Sequence, residues 1–214
     1  MANMRIKFAD RESLRHLPTA IHAAHGRLDL LINNAGVALG GTFAQVSEAD
    51  FDWLMDINFH AVVRMTRAFL PMLQASDEAR IVNVSSIYGI ISPAEQTAYS
   101  ASKFAVRGFS NALRHELEGS NVGVTVVHPG GVATAIARSA RVPAGVPEEE
   151  IRKRRALSER MLRLAPEKAG EIIVAGIEHG KARILVGTDA KVAALLERLM
   201  PVGYWKILKK AVRA

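Results

Sequence analysis

The sequence predicts an α/β protein built on a doubly wound parallel sheet, with helices on both faces. Three observations carry this. Short apolar runs alternate with longer amphipathic segments along the 214 residues, the signature of strands joined by helical crossovers. The runs at 28–32 and 81–84 are nearly continuous, as in strands buried on both faces. Small polar or glycine-containing turns follow three of the runs: Asn33-Asn34-Ala35-Gly36, Ser85-Ser86 and Pro129-Gly130. In such sheets ligands bind beyond the C-terminal strand ends.

Each element has its own signal. Residues 4–9 read as a short strand. Asp10 can cap a helix through Leu14, Leu17, Ile21 and Ala24 that stops at Gly26. Residues 28–32 form the next strand. Ser47 caps a further helix, with Asp50 three positions on in place of the usual Glu. Its apolar positions run from Phe51 to Leu70, and Pro71 lies near its end. Residues 81–84 are a strand, and a helix from about Tyr99 to Leu117 follows a loop carrying Gly89 and Pro93. Residues 122–127 form a third apolar strand. A stretch rich in proline and charge spans 142–164. Pro166 opens a helix, residues 183–186 form a last strand, and a final helical segment begins after Asp189. No repeat or low-complexity linker interrupts the series, so residues 1–214 read as one domain.

Composition narrows the function classes. The chain holds no cysteine, has 49% hydrophobic and 23% charged residues, and carries a formal net charge of +7. The excess is C-terminal: residues 121–214 have 17 Lys and Arg against 9 Asp and Glu, and residues 1–120 have 11 against 12. Arg152-Lys153-Arg154-Arg155 follows Glu148-Glu149-Glu150 directly, which reads as a solvated, internally paired helix and argues against nucleic-acid binding. His22 and His25 share a helix face without a neighbouring carboxylate, so no metal site is expected. No Gly-x-Ser-x-Gly stretch marks an esterase nucleophile. A cytoplasmic protein is expected.

The chemistry centres on Tyr99-Ser100-Ala101-Ser102-Lys103. On a helix, positions i and i+4 share a face. Of the three tyrosines, only Tyr99 has a lysine four residues on. A nearby cation favours the phenolate, so the pairing predicts a lowered Tyr99 pKa and a proton-transfer role near neutral pH.

Around this pair the sequence resembles the short-chain dehydrogenase/reductase family, over nearly the whole chain from Asp10 to the last strand. Five features carry the resemblance: Asn33-Asn34-Ala35-Gly36, Asn58 in Asp56-Ile57-Asn58-Phe59, Ser86 thirteen positions before Tyr99, Tyr99-x-x-x-Lys103, and Pro129-Gly130-Gly131-Val132-Ala133-Thr134. The resemblance implies a Rossmann-like sheet, NAD or NADP as cofactor, and an alcohol or carbonyl compound as substrate. It also implies assembly into homo-oligomers. By the same resemblance Tyr99 is the general acid/base, and Lys103 tunes it and holds the nicotinamide ribose. Ser86 holds the substrate oxygen, and Asn58 holds a relay water. Val132 and Thr134 meet the nicotinamide side, and Asn34 and Gly36 lie along the adenosine side. Tyr88, Ile90 and Gln96 would line the substrate pocket.

The family's N-terminal Thr-Gly-x-x-x-Gly-x-Gly turn has no counterpart here, and Lys7 stands where the family often has Asp or Asn. The chain is therefore expected to be N-terminally truncated, starting at the family's third strand with the edge at 28–32 exposed. Two readings stand: a fragment of a working oxidoreductase, or a non-catalytic remnant acting through subunit contacts. At the C-terminus, Leu195, Leu199, Tyr204, Trp205 and Ile207 are flanked by Lys206, Lys209, Lys210 and Arg213, with Pro201 and Gly203 splitting the segment into two helical pieces. That face either packs on protein or makes a weak membrane-surface contact.

Overall fold

A computed structural model describes residues 11–213. The expected strand at 4–9, the Asp10 cap and Lys7 lie outside the described residues. The first helix, α1, spans Arg11–His25 and ends at Gly26, whose φ of 73° is the left-handed turn expected of a glycine stop.

The sheet has four parallel strands in sequence order: β1 (Leu30–Asn33), β2 (Ala79–Val84), β3 (Val122–Pro129) and β4 (Arg183–Val186). The register pairs Asn33 with Asn83, Val84 with Val127 and Pro129 with Val186, so the strand ends line up along one edge. Helices cover both faces. On one, α1, α3 (Ala61–Gln74) and α4 (Thr97–Glu116) bury Leu14, Leu17, Met65, Phe69 and Leu113 against Leu31, Ile81 and Val124. On the other, α6 (Pro166–Glu178) packs Ala169, Ile172 and Ile173 over Val82, Val127, Ile184 and Val186.

Residues 28–32 form a run suited to burial on both faces, with the exposed edge expected of a chain that starts at the third strand, and the described sheet has that edge at β1. Leu31 is buried, but Leu30 and Ile32 are 41% and 47% exposed. β1 is the edge strand of the described sheet, and α6 covers the opposite side only over β2 to β4. An apolar run reports what a strand can bury, and its neighbours decide what is buried.

The helix begun at Ser47 also differs from a plain one. Ser47 Oγ accepts from the Asp50 amide, the N-cap the sequence signals, and also donates to the Asp50 carboxylate. The regular helix α2 (Glu48–Met55) then widens into a π turn over Asp56–His60 before α3 resumes. Pro71 does not end it: α3 runs on to Gln74. The charged stretch at 142–164 contains α5 (Glu148–Met161), which buries no residue and pairs Glu150 with Arg154 and Glu149 with Lys153. After β4 come α7 (Thr188–Leu199) and α8 (Tyr204–Arg213), the two expected pieces. The alanines of α7 and Tyr204 and Leu208 of α8 pack on Ile87, Ile90 and Ile91 beyond β2.

Candidate active site

Two elements bring the key side chains together. β2 ends at Val84, and Ser85 and Ser86 continue it into a single 3₁₀ turn, Ile87–Gly89. Gln96 precedes α4, which places Tyr99 in the first turn and Lys103 one turn further on. The two serines separate cleanly. Ser85 Oγ donates to the Lys103 carbonyl at 2.8 Å and so fastens β2 to α4. Ser86 Oγ accepts from the Tyr88 amide at 3.1 Å, and its hydroxyl is the polar neighbour that favours the ionised Tyr99 phenol.

Tyr99 and Lys103 lie side by side, with Nζ 5.6 Å from the ring centroid. Lys103 is 4% exposed and donates to the Val84 carbonyl at 3.1 Å. Burial holds its ammonium down at about 8, from an ordinary 10.5. Tyr99 moves opposite to the sequence expectation. Burial pushes its phenol up to about 12, only partly opposed by the nearby Ser86 hydroxyl. Desolvation outweighs the expected pull of the cation, which is itself buried and turned to Val84. Tyr88 stands edge-on to the Tyr99 ring, centroids 6.0 Å apart.

Asn58 sits in the π turn, 1% exposed. Its carbonyl oxygen accepts from the Val37 amide at 2.8 Å, and its Nδ2 donates to the Val37 carbonyl at 3.0 Å and to Ser102 Oγ at 3.1 Å. Ser102 Oγ in turn donates to the Tyr99 carbonyl. The amide thus ties the turn after β1 to the start of α4, and a π turn is a frequent way to aim one such side chain inward. Gly36 lies against this group: a Cβ there would come within 3.4 Å of both Asn58 Oδ1 and Lys103 Nζ.

The remaining residues sort by place. Asn34 is exposed just past β1. Val132 bridges to Leu164 and Thr134 follows it in an exposed loop beyond β3. Gln96 pairs with Gly41 across the cleft mouth. Ile90, expected to line the substrate pocket, is 1% exposed and packs with Ala190 and Ala193 of α7.

Three features escaped the sequence reading. Asn33 Nδ2 donates to Asn83 Oδ1 and to Thr66, and Asn83 Nδ2 donates to Ser110, a buried polar ladder under the cleft. His128, fully buried on β3, holds the Ser86 carbonyl through Nδ1 at 2.9 Å. Burial drives its pKa down to about 4, so the ring is neutral and Nδ1–H donates. Asp189 at the start of α7 accepts from the Gly131 amide at 2.6 Å and anchors the Pro129–Gly131 loop. The only available signal for the first two was polar residues inside apolar strands. Among the described residues no group of three or more His, Asp or Glu side chains could hold a metal ion.

Fold and side chains together define an α/β protein of the oxidoreductase class, with a serine, tyrosine and lysine at the C-terminal edge of a parallel sheet. The short chain dehydrogenase profile matches residues 2–144. The chain belongs to the short-chain dehydrogenase/reductase family. It is 39% identical over 211 residues to the oxidoreductase SadH of Mycobacterium tuberculosis, covering 97% of this chain and 75% of that one. It is 40% identical over 122 residues to 3-ketodihydrosphingosine reductase of Bacteroides thetaiotaomicron, covering 57% of this chain and 45% of that one. A short-chain dehydrogenase/reductase from Burkholderia phymatum, solved in complex with NAD, superposes with a TM-score of 0.84 at 26% identity, covering 94% of this chain and 75% of that one.

Proposed function

We propose that the chain interconverts an alcohol and a ketone or aldehyde, with NAD or NADP as redox partner and Tyr99 as the proton-transferring group. The observation that carries this is the convergence of Ser86, Tyr99 and Lys103 on the end of β2, with Lys103 Nζ 5.6 Å from the Tyr99 ring and bonded to the Val84 carbonyl.

The nicotinamide end of such a cofactor fits the residues present. Gly36 leaves a bare backbone beside Lys103 Nζ and Asn58, space that a side chain there would fill. Lys103 and Tyr99 would hold the ribose beside Gly36, the Val132 backbone and Thr134 the carboxamide side, and Asn34 the adenosine side. Bound NAD(P) supplies the position that gives or accepts the hydride. The protein groups handle the proton. With its pKa near 12, Tyr99 is protonated throughout the neutral range and donates to the carbonyl oxygen during reduction. Ser86 steadies that oxygen as charge builds on it. Lys103, near 8, is poised to exchange a proton close to neutrality. Both Asn58 Nδ2 hydrogens are used, on Val37 and Ser102, which locks the Gly36 turn onto α4 beside Lys103, while Oδ1 accepts from Val37 and keeps a second lone pair for the relay water. Tyr88 and Gln96 face the substrate space.

Turnover of a panel of ketones and aldehydes, followed by NAD(P)H absorbance at millimolar cofactor, tests the reading. Loss of turnover in Tyr99→Phe is expected. Equal turnover in the variant, or none in the parent chain, overturns it. The sequence holds no Thr-Gly-x-x-x-Gly-x-Gly turn to cradle a pyrophosphate, so calorimetry on this 214-residue chain is expected to give a dissociation constant weaker than micromolar.

A second reading, action through subunit contacts, is favoured by one face of α4. Ala101, Phe104, Gly108 and Ala112 lie exposed along it, and Phe104 is 37% exposed. The same face supports homo-oligomer assembly in either reading.

A further inference from the structure

Helix α7 carries apolar residues on two sides. Ala190, Ala193 and Ala194 face inward and are buried against the loop after β2. The larger aliphatics face out: Val192 is 56% exposed, Leu195 57% and Leu199 70%. At spacings of three and four they form one stripe, the reverse of the usual arrangement in which large apolar side chains point to the core. The stripe continues across the turn between the helices, where Met200 is 42% and Val202 91% exposed, and onto Ile207 of α8 at 45%. Such a contiguous exposed patch marks an interaction surface.

Its charged rim says what covers it. Lys191, Arg198, Lys206 and Lys209 are all exposed beside the stripe, and Glu197 is the lone acidic residue between 190 and 209. A second copy of the chain would bring these four cations against the same four, an unfavourable pairing. A surface of negative charge over an apolar interior complements both features. No helix among the described residues is long and apolar enough to cross a membrane, so contact would be in the plane of the interface. Trp205, half-buried at the same end, suits the headgroup level.

We propose that the outward face of α7, the Met200–Val202 turn and Ile207 form a docking surface for an anionic lipid bilayer. The aliphatic stripe enters the acyl boundary while the four cations meet lipid phosphates and carboxylates. Docking here places the 92–97 loop, and the cavity it lines with Phe104 and Trp205, beside the lipid, because the Ser92 amide donates to the Tyr204 hydroxyl and links the two regions directly. The proposal does not depend on the redox reading.

Co-sedimentation of the full chain with phosphatidylcholine vesicles, with and without phosphatidylserine, tests it. Binding is expected only with phosphatidylserine, and it should fall as salt rises. Lys206→Gln with Lys209→Gln should weaken it about 30-fold, since each cation near an anionic surface contributes about fivefold. Leu195→Ser with Leu199→Ser should abolish it while the circular dichroism spectrum is unchanged. Equal binding to both vesicle types, binding to neither, or full binding by the lysine pair variant overturns the proposal. So does a concentration-dependent dimer, seen by sedimentation velocity and lost in the leucine pair variant, without lipid binding; that result assigns the stripe to a second copy.

Discussion

Replacing Lys103 with methionine should change how stability depends on pH, and the structure sets the size of the change. Lys103 is 4% exposed and its pKa is held at about 8 instead of 10.5. The native state therefore loses this proton at lower pH than the unfolded chain does. Below about pH 8 both states carry it and the full cost of the buried cation applies. Between about 8 and 10.5 the unfolded chain binds more protons, so native stability rises with pH. Each pH unit of the gap is worth about 1.36 kcal/mol, about 3 kcal/mol in all. The native Tyr99 phenol, near 12, keeps its proton in that window, and the loss of its proton near 10 in the unfolded chain is common to parent and variant and cancels from the comparison. Methionine keeps the length of the side chain and removes the charge, and it leaves the Val84 carbonyl without its donor at a cost of about 1–3 kcal/mol. At pH 7.5 the two effects nearly cancel. At pH 10 the parent chain should exceed Lys103→Met by about 2–3 kcal/mol, because the variant lacks the alkaline gain. Urea unfolding of both proteins at half-unit steps from pH 7.5 to 10 measures this. Parallel curves would show that Lys103 is not desolvated, and the proton-exchange role built on it would fall.

Three further outcomes are expected. Tyr99→Phe should lower turnover by about 10²–10⁴ with a melting temperature close to the parent's, and a folded variant retaining most of its kcat would remove Tyr99 from the chemistry. A Cβ at Gly131 would press on the Met161 carbonyl oxygen, which belongs to backbone and cannot swing away. Gly131→Ala should therefore cost about 1–3 kcal/mol in urea midpoints, and an unchanged midpoint would mean that the end of α5 shifts freely. His128, held at about 4 from an ordinary 6.5, leaves the native state with fewer protons than the unfolded one between those values. Stability is thus lost as pH falls from about 6.5 to 4, by about 3 kcal/mol, and His128→Leu should flatten this acid limb; an equally steep limb in the variant would place the titration elsewhere.

Much of the site is legible in the sequence because its signals are local. Tyr99 and Lys103 share a helix face by spacing alone, and the serines and Gly36 mark strand ends through runs of a few residues. What escaped depends on the whole fold. The direction of the Tyr99 pKa turns on desolvation by the fold around it, which Ser86 only partly opposes, while the lysine visible in the sequence points to Val84. Ile90 reads as a pocket residue from its position in a loop, yet α7, a hundred residues later, covers it. The apolar run at Leu30 and Ile32 reads as able to be buried on both faces, while the exposed edge is expected from the strands the sequence lacks and not from the run itself. The Asn33–Asn83–Ser110 ladder looks in sequence like three unrelated polar residues.

The π turn at Asp56–His60 gives one continuous helix two phases. A single extra residue in an α-helix rotates everything beyond it by about 100°. Upstream, Leu54 is oriented toward Leu39 and Ala98 at the cleft wall, and downstream, Met65 and Phe69 are oriented toward the sheet. In an unbroken helix Leu54 and Met65, eleven residues apart, would stand almost in line, and one of the two cores would lose its side chain. The offset lets one rod serve as both cleft wall and sheet cover, with Asn58 at the point where the phase changes. Evolution along this segment is then constrained by residue count as much as by residue type: substitutions on the outer face are free, while any one-residue insertion or deletion between Leu54 and Met65 turns one of the two cores away from its partner.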